Sequence, residues 1–151
     1  HKRSRTLLLT DAIISIPEEP PAILQLDPYP LLFHARDSGD EVIEDTPANR
    51  RKGWQRICLF AIYFRPQAVE TAGLMQMLRN AAKAKERSRQ AYFGLYPFRW
   101  QEGWQQSFAA LRGNGRPFVA PILQTLIFPQ APKQVIDWAD KVATWDFGRI
   151  I

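Results

Sequence analysis

The fold is decided near the N-terminus, where the chain reads Thr6-Leu7-Leu8-Leu9-Thr10-Asp11. The apolar run predicts a fully buried strand, and Asp11 ends it. In α/β folds, ligands gather at the carboxyl ends of strands, so Asp11 is a candidate binding residue. An aspartate at such a place also caps turns and helices, and the residues alone leave both roles open.

The C-terminus has a related pattern. A helix predicted over residues 132–145 is followed by Phe147-Gly148-Arg149-Ile150-Ile151, which predicts a strand that stops in mid-run. Two buried strands at the extremes of the chain, with helices between them, cannot make a sheet of normal size. We therefore expect the chain to be one part of a larger α/β domain.

Length and composition are those of a globular protein. The chain has 151 residues, of which 46% are hydrophobic and 23% are charged. It is long enough for a core, and wholesale disorder, collagen and disulfide mini-proteins are excluded. Cys58 is the single cysteine, which excludes an intrachain disulfide and a cysteine-based zinc cage. His1 and His34 are too few histidines for a catalytic zinc site, so we expect no cofactor on this chain alone.

The other reactive residue types give no sign of catalysis. His34 and Cys58 both lie in apolar runs, where packing is the simpler role. Burial raises the pKa of a thiol and lowers its reactivity. The sequence contains no Gly-x-Ser-x-Gly nucleophile motif. We therefore assign no catalytic residue.

The charge balance is basic. The net charge is +5 and the pI is about 9.7, with cations clustered in residues 1–5, 50–56 and 83–89. A basic surface attracts nucleic acid or anionic lipid. However, the sequence has no Gly-rich phosphate loop, zinc finger or RNA-binding aromatic signature, so no nucleic-acid partner is expected. Solvated helix faces are the simpler explanation, and the acidic residues within 37–45 indicate local charge balance.

No stretch is long enough to cross a membrane. The longest apolar run, residues 57–64, has eight residues, whereas a bilayer span needs about 20. Residues 54–64 also combine Trp, Tyr and Arg with apolar side chains, which is compatible with a peripheral membrane contact. A buried helix explains the same residues more simply.

Between the two ends, the sequence predicts a Pro-rich and acidic insertion over residues 17–46 and a helical insertion over residues 47–128. Five prolines within residues 17–30 predict an extended, rigid crossing segment. Thr46-Pro47 predicts a helix start, because Thr caps a helix and Pro suits its first turn. A short second strand is predicted over residues 13–16. Helices are predicted over residues 47–64, 68–90, 99–111, 117–127 and 132–145, and residues 132–151 form the final helix and strand.

Two sets of motifs carry a family resemblance. The stretch Arg5-Thr6-Leu7-Leu8-Leu9-Thr10-Asp11-Ala12 resembles the strand of the second half of the metallo-β-lactamase fold that delivers a metal-bridging aspartate. Longer motifs are similar to an uncharacterised domain-of-unknown-function family of cyanobacteria and chloroplasts, which has a metallo-hydrolase-like fold. They are Ser15-Ile16-Pro17-Glu18-Glu19-Pro20-Pro21, Leu26-Asp27-Pro28-Tyr29-Pro30-Leu31-Leu32-Phe33-His34-Ala35-Arg36-Asp37 and Asp45-Thr46-Pro47-Ala48-Asn49-Arg50-Arg51-Lys52-Gly53-Trp54.

The resemblance implies a partial metallo-β-lactamase-like αββα domain over residues 1–151, mostly helical in this part, with short strands near both ends. It implies that Asp11 is a metal ligand, and that the other ligands lie before His1 and after Ile151. The metal of the complete protein would be zinc, iron or manganese, at a degenerate site. The partner that it implies is the N-terminal half of the same fold.

Three functions are therefore open. The first is a part of a metallo-hydrolase-like protein. The second is a catalytically inactive binding or assembly module with a protein partner in a photosynthetic cell. The third is a basic peripheral membrane protein. The implied location is the cytoplasm of a cyanobacterium or a plastid, with thylakoid association as the alternative.

Overall fold

A computed structural model describes residues 2–7, 13–62, 68–121 and 123–150. Strands and helices alternate along this mixed α/β chain. The strands are β1 (Thr6–Leu7), β2 (Ile13–Ile14), β3 (Val69–Thr71), β4 (Phe98–Trp100), β5 (Phe118–Val119) and β6 (Arg149–Ile150). The helices are α1 (Ala22–Leu26), α2 (Tyr29–Ala35), α3 (Pro47–Ile57), α4 (Leu74–Lys83), α5 (Trp104–Arg112) and α6 (Pro132–Ala143).

The described strands form three sheets of two strands each. β1 pairs with β6 in parallel, β2 pairs with β5 antiparallel, and β3 pairs with β4 antiparallel. Short π-helical turns follow α3 at Cys58–Ile62 and precede α6 at Leu123–Ile127. None of the helices in these described stretches is long and apolar enough to span a bilayer.

The chain divides into two compact units. We call His1–Ser15 together with Arg116–Ile151 the terminal unit, and Ile16–Gly115 the middle unit. The terminal unit contains β1, β2, β5, α6 and β6. The predicted boundaries at residues 17, 47 and 128 stay predictions.

The terminal unit brings the two ends of the chain together. Thr6 is opposite Arg149 and Leu7 is opposite Ile150 in the parallel pair. The Gly148 amide donates to the Arg5 carbonyl at 2.9 Å, which extends the pairing by one step. A strand near each end and a final helix are confirmed, and Pro132 occupies the first turn of α6. The helix ends at Ala143 rather than at residue 145, and β6 begins at Arg149 rather than at residue 147.

The middle unit is built on two closely packed helices and a small sheet. Thr46 caps α3 as predicted, because its Oγ1 accepts a hydrogen bond from the Asn49 amide at 3.2 Å. The aromatic core of the unit lies against β3 and β4. It consists of Val69, Tyr96 and Phe98, with Phe33, Phe60 and Trp100 packed against them.

The prediction of an extended segment over residues 17–30 is wrong. This stretch contains α1 and the start of α2. Pro21 and Pro28 precede these helices, and Pro30 lies in the first turn of α2. The first turn has no intrahelical acceptor for its N–H groups, so proline costs little there.

Three predicted helix bounds are also wrong. Residues 69–71 form β3 before α4 begins, because β-branched Val69 and Thr71 favour a strand and Gly73 separates them from the helix. Residues 98–100 form β4, and α5 begins only after Gly103, whose φ is 83°. Residues 118–119 form β5 rather than the start of a helix. The end of the predicted helix over residues 47–64 lies outside the described residues.

Candidate functional site

Asp11, the predicted metal ligand, lies outside the described residues. The strand before it is described, and it pairs in parallel with β6. Because the two strands are parallel, their carboxyl ends at Leu7 and Ile150 lie at the same edge of this pair. Beside this pair, Arg5 Nη2 contacts Asp146 Oδ2 at 2.6 Å, on the solvent side.

Within residues 2–7, 13–62, 68–121 and 123–150, no group of three or more His, Cys, Asp or Glu side chains is placed to hold a metal ion. His34 lies in the middle unit among aromatic rings, and Cys58 is buried. Burial raises the pKa of the Cys58 thiol to about 12, which fits the predicted unreactive role.

A cavity of about 670 Å³ lies in the middle unit beside β3, β4 and α4, and we call it the mixed-charge cleft. Carboxylates, amides and cations line it together. Its polar side chains include Asp37, Asp40, Glu70, Gln76, Asn80, Lys83 and Arg99. Glu70 and Arg99 are directly opposite each other in the β3–β4 pair. A cleft lined by both carboxylates and cations is complementary in charge to a small zwitterionic ligand.

Two buried arginines hold the walls of this cleft. Arg36, at the end of α2, is fully buried. Its Nη1 donates to the Ala91 carbonyl at 2.7 Å and its Nη2 donates to the Leu95 carbonyl at 2.6 Å. Its guanidinium carbon also lies 4.4 Å from the ring centre of Tyr92. Arg36 therefore ties α2 to residues 91–95, which run directly into the cleft wall.

Arg56, on α3, binds the same region from the other side and is 2% exposed. Its Nη1 donates to the carbonyls of Ala35 and Arg36, at 3.1 and 2.7 Å. Its Nη2 donates to Asp37 Oδ1 at 2.5 Å, and its guanidinium lies over Trp100 and Trp104. A buried cation is tolerated because hydrogen bonds and aromatic faces replace its water.

Asp37 at the cleft rim is consequently held as an anion. Partial burial raises its pKa, but hydrogen bonds from Lys52 and Arg56 outweigh this, so the pKa lies below its usual value. Lys52 Nζ donates to Asp37 Oδ2 at 2.7 Å. A carboxylate that stays ionised in this way orients or attracts a ligand and does not serve as an acid at neutral pH.

His34 is a packed histidine, as predicted. Its ring centre lies 4.9 Å from that of Phe98 and 6.0 Å from that of Phe60, and its buried Nδ1 has no hydrogen-bond partner among the described residues. Burial, with a further contribution from the charge of Arg56, lowers the pKa of His34 to about 4. His34 is therefore neutral at physiological pH.

Sequence reasoning missed the two arginines, because it assigned Arg56 to a solvated helix face and gave Arg36 no role. The signal was their neighbours. Arg36 follows the apolar run at residues 31–35, and Arg56 lies between Trp54 and Cys58, which are both buried. The prediction that residues 54–64 form a buried helix is confirmed for Trp54, Cys58 and Leu59.

The described structure defines a mixed α/β protein with a parallel strand pair joining its ends and a mixed-charge cleft in its middle unit. The chain belongs to the family described as Domain of unknown function (DUF4336), whose model matches residues 1–151. The predicted membership in a domain-of-unknown-function family is thereby confirmed. No curated protein and no solved structure matches the chain.

Proposed function

We propose that this chain is the second half of a metallo-hydrolase-like domain of the metallo-β-lactamase type, in which Asp11 is a metal ligand. The parallel pairing of β1 with β6 carries the proposal. It supports the proposal that Asp11, which follows β1 in sequence, lies at the same edge of the sheet as the residues that follow β6. The resemblance implies that an aspartate and a histidine meet at such an edge.

The metal of this proposal needs ligands from the rest of the complete protein. The described residues contain no group of three metal-binding side chains. Asp11 by itself supplies one ligand, whereas a metal site needs three or four. We therefore propose zinc, iron or manganese at a shared, degenerate site. Such a metal, when bound, lowers the pKa of a bound water and polarises a scissile bond. Asp11 would act there as a ligand and not as a base.

The proposed partner is the N-terminal half of the same fold. The surface of α6 supports a covering partner, because Ile136 and Trp138 are 60% and 41% exposed. Phe128, Val135 and Trp138 line an apolar groove of about 230 Å³ beside it. The proposed setting is a cyanobacterial cytoplasm or a plastid.

Metal analysis of the complete protein tests the proposal. We expect stoichiometric bound metal after purification without chelating resins, and loss of most of it in Asp11→Ala. Asp137→Ala, which removes an exposed carboxylate from α6, is the matched control and should keep the metal. Equal metal content in both variants, or no metal in the parent protein, would refute the proposal.

A second candidate is a binding module without catalysis, and the mixed-charge cleft favours it. The cleft offers carboxylates and cations to one ligand. Thermal-shift measurements with a panel of zwitterionic metabolites test this candidate. A stabilising ligand should lose its effect in both Asp40→Asn and Lys83→Gln. If no ligand in the panel raises the Tm, or if both variants respond like the parent, the candidate fails.

A further inference from the structure

Three of the exposed apolar side chains of the middle unit lie on α4. Leu74, Met75 and Leu78 are 65%, 73% and 48% exposed. Leu74 and Leu78 lie one turn apart on the same side of the helix. Met77 and Ala81, which flank Leu74 on the same face, are half-buried. α4 therefore packs by one edge of its apolar face and presents the other edge to solvent.

A further aromatic side chain is exposed near the end of this helix. Phe93 is 58% exposed and has a φ of 58°, a left-handed backbone conformation that L-residues rarely adopt. Its amide donates to the Ser88 carbonyl at 3.0 Å. Its neighbour Gly94 packs closely against Ala84, just after α4. Keeping a large apolar side chain in a strained, exposed position points to a function for it.

Cations are close in sequence to these apolar side chains. Residues 74–93 contain five basic residues and one acidic residue. The basic residues are Arg79, Lys83, Lys85, Arg87 and Arg89. The acidic residue, Glu86, accepts a hydrogen bond from the Ser88 amide at 2.7 Å, so it is already engaged locally. The segment is therefore strongly cationic.

We propose that the exposed face of α4 and the Phe93 turn together dock on a bilayer rich in anionic lipid. We call this surface the lipid face. It is defined by Leu74, Met75, Leu78 and Phe93 together with the five basic residues within residues 74–93. Apolar side chains that enter the interface, beside Lys and Arg that meet lipid headgroups, are what a surface-bound helix requires. The four apolar side chains are not among those that line the mixed-charge cleft, and Lys83 is the cation that the two surfaces share.

The proposal commits to lipid rather than to an acidic protein. The apolar side chains lie on a helix and a turn and do not line the cleft. Such side chains can enter a bilayer interface, which needs no pocket of fixed shape. The position differs from the peripheral contact considered at residues 54–64, where Trp54 and Leu59 are buried. It stands independently of the proposed metal site.

Vesicle co-sedimentation of the complete protein tests the lipid face. The probes are vesicles of phosphatidylcholine alone and vesicles of phosphatidylcholine mixed with phosphatidylglycerol. We expect binding only to the second, at about 0.1 M salt, and release at about 1 M salt, where the screening length falls from about 10 Å to about 3 Å.

Charge-reversal variants distinguish the lipid face from net charge. Arg79→Glu/Lys85→Glu changes two lipid-face cations, and Lys133→Glu/Lys141→Glu changes two exposed cations of α6 by the same total charge. We expect the first pair to lower the partition constant by about tenfold or more, and the second to change it by about twofold or less. Equal losses in both variants would overturn the proposal.

Phe93→Asn separates lipid binding from folding. Asparagine tolerates the left-handed conformation, so the urea midpoint of the variant should equal or slightly exceed that of the parent protein. Weaker sedimentation without a lower midpoint supports the proposal. Unchanged sedimentation of both Phe93→Asn and Leu74→Ser/Leu78→Ser would overturn it. Failure of the parent protein to bind anionic vesicles would also overturn it, even if the protein binds an acidic protein.

Discussion

Gly53 of α3 lies directly against the backbone of Leu31 in α2. A Cβ atom at residue 53 would lie 1.8 Å from the Leu31 carbonyl oxygen and 2.6 Å from its carbonyl carbon. These neighbours are backbone atoms of a fully buried residue, so they cannot move aside as a side-chain tip can. The contact sets how closely the two helices pack, and hence where Arg36 and Arg56 meet.

Gly53→Ala should therefore destabilise the protein severely. We expect a loss of about 3 kcal/mol or more in the free energy of unfolding, since the two helices must separate to fit one methyl group. Urea denaturation measures it. Gly73→Ala is the matched control, because a Cβ at residue 73 meets open space, and it should change stability by about 0.5 kcal/mol or less. Equal midpoints for the two variants would contradict the helix packing described.

Arg56→Met should cost about 3 kcal/mol or more. The change removes a donor to the carbonyls of Ala35 and Arg36, of which the second keeps the Tyr96 hydroxyl, and it leaves Asp37 with Lys52. The control is Arg51→Met, which breaks the exposed ion pair with Glu19 and should cost about 1 kcal/mol or less. Chemical denaturation of both proteins side by side gives the comparison. A small effect at Arg56 would show that its buried bonds contribute little.

His34 should make stability depend on pH. Its folded-state pKa is about 4, below its ordinary value of 6.5, so between these values the unfolded chain binds a proton that the folded chain does not. Stability should therefore fall as the pH drops from 6.5 to about 4, by up to about 3 kcal/mol.

His34→Phe isolates this effect. The ring stays among Phe60 and Phe98 but cannot titrate, so the variant should lose much less stability over the same pH range. The lowered pKa of Asp37 affects both proteins alike and cancels in the difference. Thermal denaturation between pH 4 and 7 of both proteins measures it, and parallel pH profiles would contradict the role of His34.

Phe93→Gly should stabilise the protein by about 1 kcal/mol. Glycine adopts the left-handed conformation of residue 93 without the steric cost that phenylalanine bears there. Tyr92→Gly, at a similar φ of 53°, should instead destabilise it, because the Tyr92 ring contacts Tyr29 and Arg36. Differential scanning calorimetry distinguishes the two. Loss of stability in Phe93→Gly would mean that its exposed ring makes contacts that outweigh the strain.

Local signals explain what the sequence could predict. Thr46-Pro47 and Pro132 marked helix starts because capping and first-turn chemistry act within four residues. Trp54, Cys58 and Leu59 were predicted to be buried because they lie in the mainly apolar segment over residues 54–64. The strands at the two ends followed from their apolar residues, although nothing local specified that they would pair in parallel.

The remaining features depend on contacts distant in sequence. The burial of Arg36 depends on carbonyls at residues 91 and 95, and that of Arg56 on rings at residues 100 and 104. β3 and β4 form because each supplies the other with a partner, a tertiary effect that overrides the local helical pattern. The mixed-charge cleft exists only once these elements are assembled.

The location of a bound metal in the complete protein tests the central claim most directly. Crystals of the metal-loaded protein would give an anomalous difference map at the absorption edge of the metal. Our proposal predicts a peak about 2.0–2.2 Å from an Asp11 carboxylate oxygen, beside the carboxyl ends of β1 and β6, for zinc. A metal peak elsewhere in the protein, with the Asp11 carboxylate free of it, would contradict the proposal.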